Sequence, residues 1–190
     1  MNNQFFQPGR MESQYVNTKV VSVMYQASGV NAPVVDGTLA VLGGFYTDPI
    51  YTAAYGSNIT DINTRIATLP ASATVSGVGV IDVSTVPTAS GVDGTTYKIG
   101  SETIGLSVEG GKPVRFRKFV IDDTFFTSLD NFTAAPTVGQ YAIVDASGNW
   151  KPSATIPTSG TTAQIISTNV VSRGVAADVT QYFMLIVQVA

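Results

Sequence analysis

Apolar and polar residues alternate in short runs along most of this chain, and the runs are separated by clusters of Gly, Pro, Asn, Asp and Ser. Val16, Val20, Val21, Val23 and Tyr25 mark a strand within Tyr15 to Tyr25, Gly29 to Gly37 supplies turn residues, and an apolar run from Leu39 to Tyr46 follows. The same rhythm returns at Val75 to Val83, Thr95 to Leu106, Val114 to Ile121, Gly139 to Val144, Thr162 to Val171 and Val179 to Val189. Strands at that spacing predict a mostly β fold, a β-sandwich or barrel-like single domain. One segment breaks the pattern: Ile59, Ile62, Ile66 and Leu69 recur at helical spacing. They predict one short helix over Ile59 to Leu69, capped by Asn58 or Thr60 and stopped by Pro70.

The two ends differ from the middle. Residues 1–14 lack periodicity and contain Pro8-Gly9, which predicts an extended N-terminal arm ahead of a β domain over 15–190. Such an arm is either a loose terminus or a clamp on a neighbouring subunit, with Phe5 and Phe6 as anchors and Arg10 as a charged contact. At the other end, Val179 to Val189 is apolar on both faces of the expected strand, with Phe183, Leu185 and Val187 on one side and Tyr182, Met184 and Ile186 on the other. That fits a central strand or a subunit interface. Val35-Asp36-Gly37-Thr38 is echoed by Val92-Asp93-Gly94-Thr95, a recurrence that Asp-Gly turns alone account for.

Composition narrows the function. In 190 residues the hydrophobic fraction is 44%, but charged residues make up only 12%, about half of what a soluble globular protein carries. The surface is therefore built of Thr, Ser, Asn, Gln, Gly and Ala, with little charge to oppose association, as suits a protein packed in an assembly. The net charge of −3 argues against a general nucleic-acid binder. With no cysteine and no histidine, thiol and histidine nucleophile systems, thiolate metal sites and the commonest general base are absent. No signal-peptide apolar region is seen in the first residues, and the longest apolar run, Tyr182 to Val187, is far short of the roughly 20 residues that span a bilayer. Neither secretion by that route nor a membrane partner is expected.

Candidate chemistry is sparse. Asp122 and Asp123 are adjacent, but neighbouring strand residues point to opposite faces, so a turn after Val114 to Ile121 is the expected role. No calcium loop of the EF-hand type, phosphate-binding glycine loop or dinucleotide fingerprint is present. No enzyme activity, cofactor or metal is expected. The one strong local charge signal is Lys112, Arg115, Arg117 and Lys118, four of the ten basic residues. On a strand, Arg115 and Arg117 share a face. They either pair with acids of the same chain or dock on an acidic patch of a partner through arginine's planar fork. Asp145 to Trp150 reads as a hairpin turn. Trp150, the only tryptophan, is either a core ring or an exposed sugar platform, and Tyr46, Tyr51 and Tyr55 are a second place where a sugar or partner could stack.

Three short stretches, Gly111-Lys112-Pro113-Val114-Arg115-Phe116-Arg117-Lys118, Asp130-Asn131-Phe132 and Val138-Gly139-Gln140-Tyr141-Ala142, resemble head decoration or minor capsid proteins of tailed phages. The resemblance covers roughly residues 90–160. It implies a non-enzymatic virion protein, made in the bacterial host cytoplasm and present in many copies, whose partners are the major capsid protein and other copies of itself. Direct nucleic-acid contact is not implied. Partner contacts through Phe5, Phe6, Arg10, Arg115 and Arg117 rest on the arm and charge arguments alone. A tail or connector subunit, or a carbohydrate- or host-surface-binding module, are the alternatives.

Overall fold

A computed structural model describes residues 4, 6–12, 19–48, 53, 60–83, 88–90, 96–98, 107–173 and 176–190. Its strands are β1 (Phe6–Pro8), β2 (Val20–Ala27), β3 (Val30–Asn31), β4 (Val34–Val35), β5 (Leu39–Thr47), β6 (Thr60–Thr68), β7 (Val78–Asp82) and β8 (Thr88–Ser90). They continue with β9 (Thr96–Lys98), β10 (Ser107–Val108), β11 (Val114–Lys118), β12 (Thr124–Ser128), β13 (Tyr141–Val144), β14 (Trp150–Ser153), β15 (Thr162–Arg173) and β16 (Ala176–Gln188). The fold is mostly β, as the alternating pattern predicts.

Two bodies share the core. The first is a barrel: β11 pairs with β7, β7 with β5, β5 with β6, β6 with β2, and β2 returns to β11. Only the β2–β6 contact is parallel. Val23, Tyr25, Ala40, Ala67, Ile81 and Phe116 fill the interior. There the Phe116 ring lies across Gly79, and a methyl at that position would collide with the ring and with the Arg117 carbonyl. Closure removes the open edges that an isolated sheet would carry.

The second body is a six-stranded antiparallel sheet in the order β1-β12-β16-β15-β13-β14, packed on the outside of the barrel. Leu39, Val78 and Val80 from the barrel meet Phe125, Met184, Ile186, Ala163, Ile165 and Val144 from the sheet. β7 is buried along its whole length because it serves both cores, Ile81 turned into the barrel and Val80 toward the sheet. β16 is the central strand that its two apolar faces allowed, flanked by β12 and β15.

Two expectations are corrected. The segment Ile59 to Leu69 is not a helix; Thr60–Thr68 is strand β6, paired with both β2 and β5. Its isoleucines do fall at helical spacing, but Thr60, Ile62, Thr64, Ile66 and Thr68 also place a β-branched residue at every second position. That stiffness at χ1 favours extended backbone, and pairing on both sides decides the matter. The only helical turn of three residues among those described is a 3-10 turn at Leu129–Asn131.

Residues 6–12 of the expected arm do not extend away from the body either. β1 is an edge strand of the sheet, and Phe6 is 1% exposed in the shared core, so its ring is not available to anchor a neighbour. Gly9 approaches Thr124 so closely that a Cβ there would meet its carbonyl oxygen at 2.8 Å, and Gly9 N donates to that oxygen at 2.9 Å. Met11 is buried too.

Candidate functional site

The charged residues that the fold takes out of water gather along the seam where the N-terminal strand, the barrel and the large sheet meet. Asp36, in the turn after β4, accepts hydrogen bonds from Phe6 N at 2.7 Å and from Val83 N at 2.7 Å. One carboxylate thus ties the first strand of the sheet to the end of a barrel strand. Burial pushes its carboxyl up to about 7, against the pull of the Val83, Phe6 and Gly37 amides, and the nearby Asp82 charge adds to the rise. Both oxygens face backbone donors inside the protein and the residue is fully buried, so this carboxyl cannot reach a substrate from where it sits.

Asp82 ends β7 and is equally buried. Its Oδ2 accepts from Arg117 Nε at 2.6 Å, and its Oδ1 lies 3.4 Å from Arg115 Nη2. Because β11 runs beside β7 with Arg115 opposite Asp82, both arginines on that face of β11 converge on one carboxylate. Their environments differ: the Arg117 side chain is 10% exposed, that of Arg115 44%. The alternation along β11 is as expected, with Val114 and Phe116 turned into the barrel. Arg117 belongs to the chain's own interior, which corrects its assignment to a partner surface: a guanidinium already bonded to a buried carboxylate has left water for an internal pair.

A third buried acid stands at the other end of the N-terminal segment. Asp123 accepts from Glu12 N at 2.7 Å and from Val120 N at 2.8 Å, and burial raises its carboxyl despite those two bonds. Asp122 precedes it with φ of 71°, so the pair forms the turn expected after β11 and the two acids do not share a site. Residues 6–12 are thus fastened by a carboxylate near each end, and Arg10 N donates to Thr124 Oγ1 at 2.8 Å between them. The Arg10 side chain is exposed. Phe5 lies outside the described residues.

The aromatic candidates are resolved by burial. Trp150 is buried with Phe119 and Phe125, ring centroids 5.8 Å and 6.0 Å away, and Phe6 continues the cluster at 5.4 Å from Phe125. It is the core ring of the two options. Tyr46 is buried and its hydroxyl accepts from Asn31 Nδ2 at 3.0 Å, while Tyr51 and Tyr55 lie outside the described residues. Of the expected partner-binding residues, Arg10 and Arg115 keep access to solvent. Beside Arg115 is a shallow depression formed by Val20, Ser22, Val83, Val108 and Pro113.

Asp36 and Asp82 were not singled out by sequence reasoning. Asp36 sits in an Asp-Gly turn, which ordinarily marks a solvated loop, and Asp82 closes an apolar run. Among the described residues no three His, Cys, Asp or Glu side chains group as a metal site, and no helix is long and apolar enough to cross a membrane. Compared with family models, curated proteins and solved structures, the chain has no match.

The Asp36 arrangement predicts a pH dependence of stability. An acid whose folded-state pKa exceeds its unfolded value holds its proton better when folded. Its contribution is therefore complete below the unfolded value and is lost as the pH rises through about 7. The denaturant midpoint of the wild type should fall between about pH 4 and about pH 8, and Asp36→Asn should flatten part of that slope. Equal slopes for the two proteins would remove Asp36 as the source.

Proposed function

We propose that this protein is a non-enzymatic structural component of a tailed-phage virion, a decoration or minor capsid protein that binds the outer surface of the shell and stabilises it. What carries the reading is where the charged groups are. The buried carboxylates Asp36, Asp82 and Asp123 each hold backbone amides or arginines of the same chain, and a chain with 12% charged residues is left with a largely neutral polar exterior. That is a surface for contacts made in an assembly, where many weak interactions add through multivalency. The resemblance of residues 111–118, 130–132 and 138–142 to phage head proteins directs the choice of assembly. Arg115, half exposed at the mouth of an apolar depression, is the docking contact.

Co-sedimentation with intact capsids that lack the protein is the test. Wild type should bind saturably, and Arg115→Ala should weaken binding by roughly tenfold while unfolding at nearly the wild-type midpoint. Absence of binding at every concentration would sink the decoration reading, and closed rings formed by the purified protein alone would turn it toward a tail or connector subunit.

A further inference from the structure

Both outer strands of the large sheet are closed to further strand addition by the same device. In β1, the Phe6 amide turns away from β12 and is taken by Asp36, and Pro8 has no N–H to offer. In β14, the outward Trp150 carbonyl accepts from Thr133 N at 2.8 Å, and the other outward position is Pro152. An internal bond and a proline at each edge are a defence against edge-to-edge pairing.

The far end of β15 lacks that defence. β13 pairs with β15 only over Thr162 to Gln164, with the last rung formed by Gly139 N to Ile165 O and Ile165 N to Gln140 O. Beyond this point β15 runs on to Arg173 with β16 on one side and no described strand on the other. Ile166 to Val170 are all exposed, Val170 at 60%. The ladder fixes which groups face out. Even-numbered residues of β16 bond to the β12 side, as Ile186 does with Asp122 and Asp123, so odd-numbered ones bond to β15. Phe183, Gln181 and Val179 stand opposite Ser167, Asn169 and Val171. The amides and carbonyls of Thr168 and Val170 therefore point away from β16, toward a side where no described strand pairs with them.

We propose that this edge is a self-association surface, where β15 pairs antiparallel with β15 of a second copy about a two-fold axis through Asn169. In that register Thr168 of each copy exchanges both backbone bonds with Val170 of the other, and Ile166 lies opposite Ser172. The choice of a second copy follows from complementarity: an antiparallel strand edge is always its own complement, and Thr162 to Ser172 carries no charge that would repel its twin across the axis. Lysine and proline, which guard natural edges, are absent from the same stretch. The contact is small beside a standard interface, so the pairing it supports in solution is weak and transient, which covalent trapping can detect. It does not depend on the shell-binding reading.

The chain has no cysteine, which makes cross-linking a clean probe. Asn169 would face its twin in a non-hydrogen-bonded pair, with Cα atoms about 4.5 Å apart, within the range of a disulfide. Under mild oxidation Asn169→Cys should form disulfide-linked dimers roughly tenfold faster or more than Ser159→Cys, an exposed loop control. Adding Val170→Pro, which removes an N–H turned away from β16, should abolish the difference. Val170→Lys provides the same test without constraining the backbone. Equal rates for the two cysteine chains would overturn the proposal, as would an Asn169→Cys rate that neither second substitution lowers while thermal unfolding stays native.

Discussion

Phe6→Ala should destabilise the isolated protein by about 3–5 kcal/mol, the usual cost of emptying a fully buried aromatic site. The ring is 1% exposed, packs 5.4 Å from Phe125 and belongs to the cluster that contains Trp150. Its loss would leave a cavity where the barrel, the sheet and the N-terminal strand meet, and the sheet would be least able to collapse there because Asp36 and Thr124 hold the backbone on either side. In a chain of this size that corresponds to a fall in thermal midpoint of roughly 6–20 °C. Gln7→Ala on the same strand supplies the contrast: Gln7 is exposed and should cost less than about 0.5 kcal/mol. A free arm that clamps a neighbour would give the opposite result, with monomer stability indifferent to Phe6 and only assembly affected. Denaturant unfolding of the two variants, with no capsid present, separates these accounts.

The same residues show how far the sequence could be read. β2, β5, β7, β11, β13, β15 and β16 lie where runs of β-branched and aromatic residues bounded by turn residues placed them, because such residues suit extended backbone whether one face is buried or, as in β7, both are. β1 escaped notice because three residues ending in proline have no period to detect; its fit as an edge strand comes from Asp36 and β12, which lie far along the chain. β6 was ambiguous rather than silent, since Ile62 and Ile66 satisfy a helical spacing and a two-residue spacing at once. Strand spacing left sandwich and barrel both open, and it could not decide closure: that depends on Arg115 lying opposite Ser22 in β2 and Asp82 in β7, a register that no local pattern encodes. The site followed the same rule. The sharing of one face by Arg115 and Arg117 could be read from alternation, while their common partner, Asp82, could not.

That common partner sets up the second large effect. Arg117→Ala should cost about 3–5 kcal/mol, because it strips a buried carboxylate of its shorter bond and leaves Asp82 with Arg115 at 3.4 Å. Arg115→Ala should cost no more than about 1 kcal/mol, since a half-exposed guanidinium at that distance is well screened. Replacing both members of the tighter pair, Arg117→Met with Asp82→Leu, should recover most of what the single change loses, as removing two buried charges together leaves neither unpaired. Urea unfolding of the three variants gives the comparison, and equal losses for the two single arginine changes would show that the division of labour assigned here is wrong. The division also governs how binding data can be read. A loss of capsid binding on changing Arg117 would be indistinguishable from a loosened barrel, because Arg117 bridges β11 to the end of β7. Arg115, which the barrel can spare, is the one position of the pair where a change in binding reports on the surface itself.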